Sequence, residues 1–163
     1  MHWVRFAVIV LAATVLQASL VDMIAVTTAD LKPNLLLILL VFFAITAEPT
    51  EVVITSFSIG FAADLIGPSM GPHIISFGVI GTLLADLHGV LTLRKMFHQG
   101  LGIFATGLVT AALAFLLTFL KAEPVAFRAW TELFWTPLYS ALLGPVLFLP
   151  LRWGMRIRRR RMG

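Results

Sequence analysis

The chain has 163 residues, of which 60% are hydrophobic and only 12% are charged. A soluble domain is typically about 45–50% apolar and about 25% charged. With a mean hydropathy of +0.99, the chain has too little polar surface for a water-soluble globule, so its composition indicates a membrane protein.

The net charge of +4 comes largely from arginines at the C-terminus. Six arginines lie between positions 152 and 161, directly after an apolar segment. This pattern is typical of an anchor that binds anionic lipid on the cytoplasmic face, and it does not indicate nucleic-acid binding. The chain has no cysteine, no H-E-x-x-H metal motif and no phosphate-binding glycine loop, so we expect no cofactor, no metal and no catalysis.

Six apolar segments follow one another with short connections, at about 6–27, 33–47, 51–67, 70–88, 97–120 and 133–151. They predict an all-α polytopic membrane protein, a bundle of about six transmembrane helices in a single domain over 1–163, with a basic tail at 152–163. The first segment resembles a signal peptide but is longer, so we interpret it as a retained span. The second segment is short for a 30 Å hydrocarbon core, which leaves a half-span or re-entrant hairpin as an alternative.

The distribution of basic residues predicts the orientation of these spans. With six spans and the tail inside, nine of the 12 lysines and arginines lie on the cytoplasmic side, so we expect both termini in the cytoplasm. Residues 123–135 precede the last segment and carry aromatic residues at helical spacing. They are compatible with an interfacial helix or with a plain loop.

Two helical faces are made of small residues. In the fifth segment the face consists of Gly107, Ala111, Ala114 and Thr118. In the first segment, Asp22 shares a face with small residues. Small residues let membrane helices approach closely, so each face is either an internal packing seam or a seam for a partner protein.

Asp64 ends an apolar run and is followed closely by a Gly-Pro turn. A carboxylate in hydrocarbon is costly and calls for a partner. Asp64 is either a helix-end residue that accepts hydrogen bonds from the turn, or a residue that meets a partner protein or a polar cavity. Asp86 repeats the pattern near the opposite face, with Arg94 and Lys95 as candidate counter-charges.

Two stretches resemble the MreD family of bacterial rod-shape-determining membrane proteins. They are "KPNLLLILLVFFA" at 32–44 and "GFAADLIGPSMGPH" at 60–73. The first stretch carries the proline-polar pair and the leucine-rich run of that family. The second carries its Gly-x-x-x-Asp pattern, followed by two glycines. The matching residues are Pro33, Asn34, Gly60, Asp64, Gly67 and Gly71, although an acidic residue is common where this chain has Asn34.

The resemblance implies a function. Members of this family are non-catalytic scaffolds or regulators of the elongation complex, which builds lateral peptidoglycan at the bacterial inner membrane. The implied partners are the bitopic protein MreC, the glycosyltransferase RodA and its class B penicillin-binding transpeptidase, and membrane lipids, with the actin-like MreB as a further candidate. The implied fold is similar to that of the substrate-binding components of energy-coupling-factor transporters. The alternatives are a substrate-binding subunit of a small-molecule, vitamin-type transporter and an orphan lipid transporter.

Overall fold

The computed structural model describes residues 3–19, 33–67, 71–86, 96–121 and 129–155. These residues form helices with short flanking turns, as the predicted all-α class requires. In chain order, the helices are α1 (Trp3–Ser19), α2 (Leu35–Thr46), α3 (Pro49–Ile66), α4 (Pro72–Asp86), α5 (Met96–Leu120) and α6 (Ala129–Met155). Each helix lies on one of the six apolar segments.

Three of the described helices contain stretches long and apolar enough to cross a membrane: Pro49–Ile66, His98–Leu120 and Leu133–Leu151. The other three are shorter, with 17 residues in α1, 12 in α2 and 15 in α4. Six complete spans therefore remain a prediction. Residues 129–135 form the first turns of α6. This part of the 123–135 stretch is therefore continuous with the last helix, and forms neither a separate surface helix nor a loop. Residues 122–128 lie outside the described ranges.

Helix α2 forms the core of the bundle. It packs against all five other described helices. Nine consecutive residues, from Leu36 to Ala44, are each at most 3% exposed. A helix that is apolar on every side is stable only when other elements surround it, and here the neighbouring helices take the place of lipid.

Aromatic side chains tie α2 to the first and last helices. The ring centroids of Phe6 and Phe43 lie 5.0 Å apart, and those of Phe42 and Phe148 lie 5.4 Å apart, both in edge-to-face geometry. Such pairs add about 0.5–1.5 kcal/mol each to the burial of their area. α1 and α6 thereby pack against adjacent residues of α2.

The enclosure of α2 explains why its segment is short. Twelve residues of helix extend about 18 Å, which falls short of a hydrocarbon core of about 30 Å. A helix surrounded by lipid finds no hydrogen-bond partners for its end groups within that core. A helix inside a bundle can end wherever neighbouring side chains form hydrogen bonds with its end groups. The start of α2 is satisfied by neighbouring side chains in this manner.

Candidate functional site

Asp64 joins the end of α3 to the start of α4. Its Oδ2 accepts hydrogen bonds from the backbone N–H groups of Gly71 at 2.8 Å and Ile74 at 3.0 Å. Its Oδ1 lies 3.0 Å from both the backbone nitrogen and the Nδ1 atom of His73. The residue is only 2% exposed. The first N–H groups of a helix have no partner inside the helix, so a carboxylate from α3 caps α4.

The glycines around Asp64 have different roles. Gly60 lies one turn before Asp64 on α3, and a Cβ atom placed there would lie 2.7 Å from the carbonyl oxygen of His73 and 2.8 Å from the Cα of Ile74. Only a glycine lets the α4 backbone come this close. The spacing Gly-x-x-x-Asp therefore places a contact surface and a capping group on the same face of α3, and α4 begins against both.

Gly71 and Gly67 differ in backbone conformation. Gly71 has a φ of +114°, a conformation that residues with a side chain rarely adopt. Gly67 has a φ of −78° and a ψ of 163°, which any residue can adopt. Within the described part of the turn, only Gly71 therefore requires glycine for its backbone angles.

The Pro33–Asn34 pair forms the capped start of α2. The Oδ1 atom of Asn34 accepts a hydrogen bond from the N–H of Leu37 at 3.0 Å, as an N-cap residue does. Asparagine and aspartate cap helices about equally well.

Side chains from α1 and α6 complete this cap. Gln17 on α1 donates to the carbonyl of Pro33 at 3.3 Å and accepts from the N–H of Leu35 at 2.7 Å. On α6, the Ser140 hydroxyl oxygen accepts the N–H of Asn34 at 2.8 Å. The polar groups at the start of α2 thus form hydrogen bonds with protein side chains, which satisfies them without water.

A cavity of about 290 Å³ lies between α2, α4, α5 and α6. It is found near the ends where α4 and α6 begin and α5 finishes, which the orientation of the chain predicts to be the outer face. Its lining combines apolar and aromatic side chains with hydroxyls, an amide and an imidazole. The lining residues are Asn34, Leu37, His73, Phe77, Gly107, Thr110, Ala111, Ala114, Phe115, Thr118, Leu133, Thr136 and Pro137.

All four residues of the small-residue face of the fifth segment line this cavity. Gly107 has a packing role, because a Cβ atom there would lie 2.7 Å from Leu37 and 2.8 Å from Pro137. Ala111, Ala114 and Thr118 continue along the cavity wall towards the end of α5. Small side chains here leave space between helices.

The small-residue face and one of the six motif residues line this cavity. Asn34 lines it directly, and Asp64 stands behind His73, which also lines it. Asp22, Arg94 and Lys95 lie outside the described residues. Asp86 is the exposed last residue of α4.

Sequence reasoning did not identify Gln17, Ser140 or His73 as parts of this arrangement. Gln17 and Ser140 carried a usable signal, since each is a polar residue inside an apolar segment and such residues usually bond across helices. His73 carried none, because its role depends on the position of α4. Among the described residues, no group of three histidine, cysteine or acidic side chains could hold a metal ion.

No solved structure matches the chain, so the likeness to energy-coupling-factor components stays an expectation. The family model described as "rod shape-determining protein MreD" matches residues 1–156. This is a family of membrane proteins with a role in rod-shape determination, and it is not a known enzyme family. The match covers nearly the whole chain, and the chain therefore belongs to the MreD family.

Proposed function

We propose that the chain is a non-catalytic subunit of the elongation complex in the bacterial inner membrane, and that it binds MreC at the cavity between α2, α4, α5 and α6. The observation that carries this proposal is that the motif residue Asn34 and the whole small-residue face line one cavity, whose wall also includes His73, the partner of Asp64. Gly107 is closed against Leu37 and Pro137, whereas the rest of the face, from Ala111 to Thr118, lines open space.

The position of the cavity favours MreC as its occupant. The basic-residue count predicts that α3 ends and α4 begins at the outer face. A bitopic partner crosses the membrane once, so the segment that adjoins its span on that side passes the level of the cavity. RodA, its transpeptidase and MreB would then join the complex through other surfaces or through MreC.

The cavity also supports the alternative of a small-molecule binding subunit. Ligand pockets usually measure about 300–1,000 Å³, and this cavity is close to the lower limit. Two of its polar groups are already used, because the hydroxyls of Thr110 and Thr118 donate to carbonyls of their own helix. A protein segment that needs only a few polar contacts suits the lining better.

The test fills the cavity from α5. Ala111→Leu adds bulk to the cavity wall, and Ala112→Leu makes the same change at the next residue, which is exposed on the outside of the helix. Each variant is expressed in place of the native protein in a rod-shaped host. Cell shape, protein level and co-purification with MreC in mild detergent are measured.

We expect Ala111→Leu to accumulate normally, to lose co-purification with MreC and to give round cells, whereas Ala112→Leu keeps all three properties. Loss of the protein in Ala111→Leu alone would mean that the cavity closes in the folded protein and the face is a packing seam. Normal MreC binding by Ala111→Leu would refute the cavity as the contact site.

A further inference from the structure

His73 stands between a buried carboxylate and the cavity. Its Nδ1 atom lies 3.0 Å from Oδ1 of Asp64. The same carboxylate accepts three backbone N–H groups, a pattern that suits an ionised, acceptor-only group. Nδ1 must therefore carry the proton and donate it. In the neutral ring, the other nitrogen, Nε2, then has a free lone pair and is a hydrogen-bond acceptor.

The ring edge that carries Nε2 faces away from Asp64. One third of the His73 side chain is exposed, whereas that of Asp64 is fully buried. The ring packs edge-to-face with Phe77 at 6.0 Å between centroids, and both residues line the cavity. Among the residues that the structure describes, no hydrogen bond to Nε2 is formed. When the ring is neutral, the cavity wall thus contains an oriented acceptor that the described residues do not use.

We propose that His73, held in this tautomer by Asp64, is a specificity-determining residue that accepts a hydrogen bond from an N–H or O–H group of the MreC segment in the cavity. This inference rests on the proposed function. It assigns to the buried Asp64 a second role beyond capping α4, because the carboxylate also decides which ring nitrogen is the acceptor. The occupant must therefore present a donor at this point of a largely apolar surface.

Two substitutions of His73 separate its two nitrogen atoms. An asparagine amide reaches about as far as Nδ1, so His73→Asn keeps a donor for Asp64 and removes the acceptor in the cavity. A glutamine side chain reaches about as far as Nε2, so His73→Gln restores a polar group there. The affinity of each full-length variant for purified full-length MreC is measured in lipid nanodiscs, together with its melting temperature.

We expect His73→Asn to melt like the native protein and to bind MreC about five- to tenfold more weakly, the usual effect of one lost hydrogen bond. His73→Gln should recover most of that loss. Unchanged binding by His73→Asn, with MreC still bound by the native protein, would overturn the inference and leave the proposed function standing. No binding of MreC by the native protein would overturn both.

A second measurement keeps the test decisive if His73→Asn does not fold. The ¹⁵N spectrum of the native imidazole distinguishes the protonated nitrogen from the acceptor nitrogen, and the acceptor signal moves upfield when it receives a hydrogen bond. We expect Nε2 of His73 to be unprotonated in the free protein and its signal to move when MreC is added. A protonated Nε2, or a signal that MreC leaves in place, would refute the inference.

Discussion

Replacing Asp64 tests whether the start of α4 depends on a carboxylate from α3. Asp64→Ala removes the acceptor of four hydrogen bonds and leaves three backbone N–H groups without it. Stranding one buried donor costs about 1–3 kcal/mol, and three backbone donors are stranded here. Since folded domains are stable by only about 5–15 kcal/mol, we expect Asp64→Ala to lose a large share of its free energy of unfolding.

Asp64→Asn has a smaller but measurable expected cost. Each carboxylate oxygen accepts two hydrogen bonds, so the amide NH₂ faces two donors in either orientation. Next to His73 the conflict is partly relieved, because the imidazole can move its proton to Nε2 and accept at Nδ1. One backbone N–H is still stranded, which costs about 1–3 kcal/mol. This proton shift also turns Nε2 of His73, the ring nitrogen on the cavity side, into a donor, so MreC binding should fall as well.

The free energy of unfolding can be measured by titrating detergent-solubilised protein with sodium dodecyl sulfate and following helix content and intrinsic fluorescence. Ser58→Ala is the matched control on α3, because that hydroxyl bonds only to the carbonyl of Ile54 in its own helix. We expect the control to stay within about 0.5 kcal/mol of the native protein. The capping argument is wrong if Asp64→Ala unfolds at the same detergent fraction as the control, or if Asn costs as much as Ala.

Three further predictions concern the turn, the start of α2 and the topology. Gly71→Ala should cost about 1–3 kcal/mol because of its backbone angle, whereas Gly67→Ala should cost less than about 0.5 kcal/mol; equal unfolding midpoints would contradict the distinction. Gln17→Leu adds an apolar side chain but should destabilise the protein by about 1–3 kcal/mol, because it strands the N–H of Leu35. An unfolding midpoint at or above the native value would show that this cap is dispensable. A reporter fused after Gly163 should be active only in the cytoplasm, and a periplasmic signal there would refute the predicted side of the C-terminus.

The sequence predicts the helices of this fold better than it predicts their surroundings. Hydropathy locates each apolar segment because the cost of exposing backbone groups forces such segments to be helical. It does not distinguish a helix in contact with lipid from one enclosed by other helices. The segment of α2 therefore leaves a half-span as an alternative, and only its five neighbours reveal that it is the core.

The candidate site shows the same limit. A carboxylate in an apolar run must have partners, and the sequence correctly directs attention to the glycine turn after Asp64. The other donors, on His73 and Ile74, belong to a helix whose approach depends on Gly60. The small-residue face is ambiguous for a different reason. Residues such as Ala111 allow close packing or leave a space, and the placement of four helices decides which occurs.

The cap of α2 has a consequence for how the protein is made. The hydrogen bond between Asn34 and Ser140 joins residues 106 positions apart, and Phe148 packs against Phe42 from the same late helix. When α2 leaves the ribosome, the helix that receives its first N–H group and covers one of its sides has not yet been synthesised. A chain that ends after α5 should therefore be degraded or held by insertion factors. The core around α2 can therefore be completed only after α6 has been synthesised.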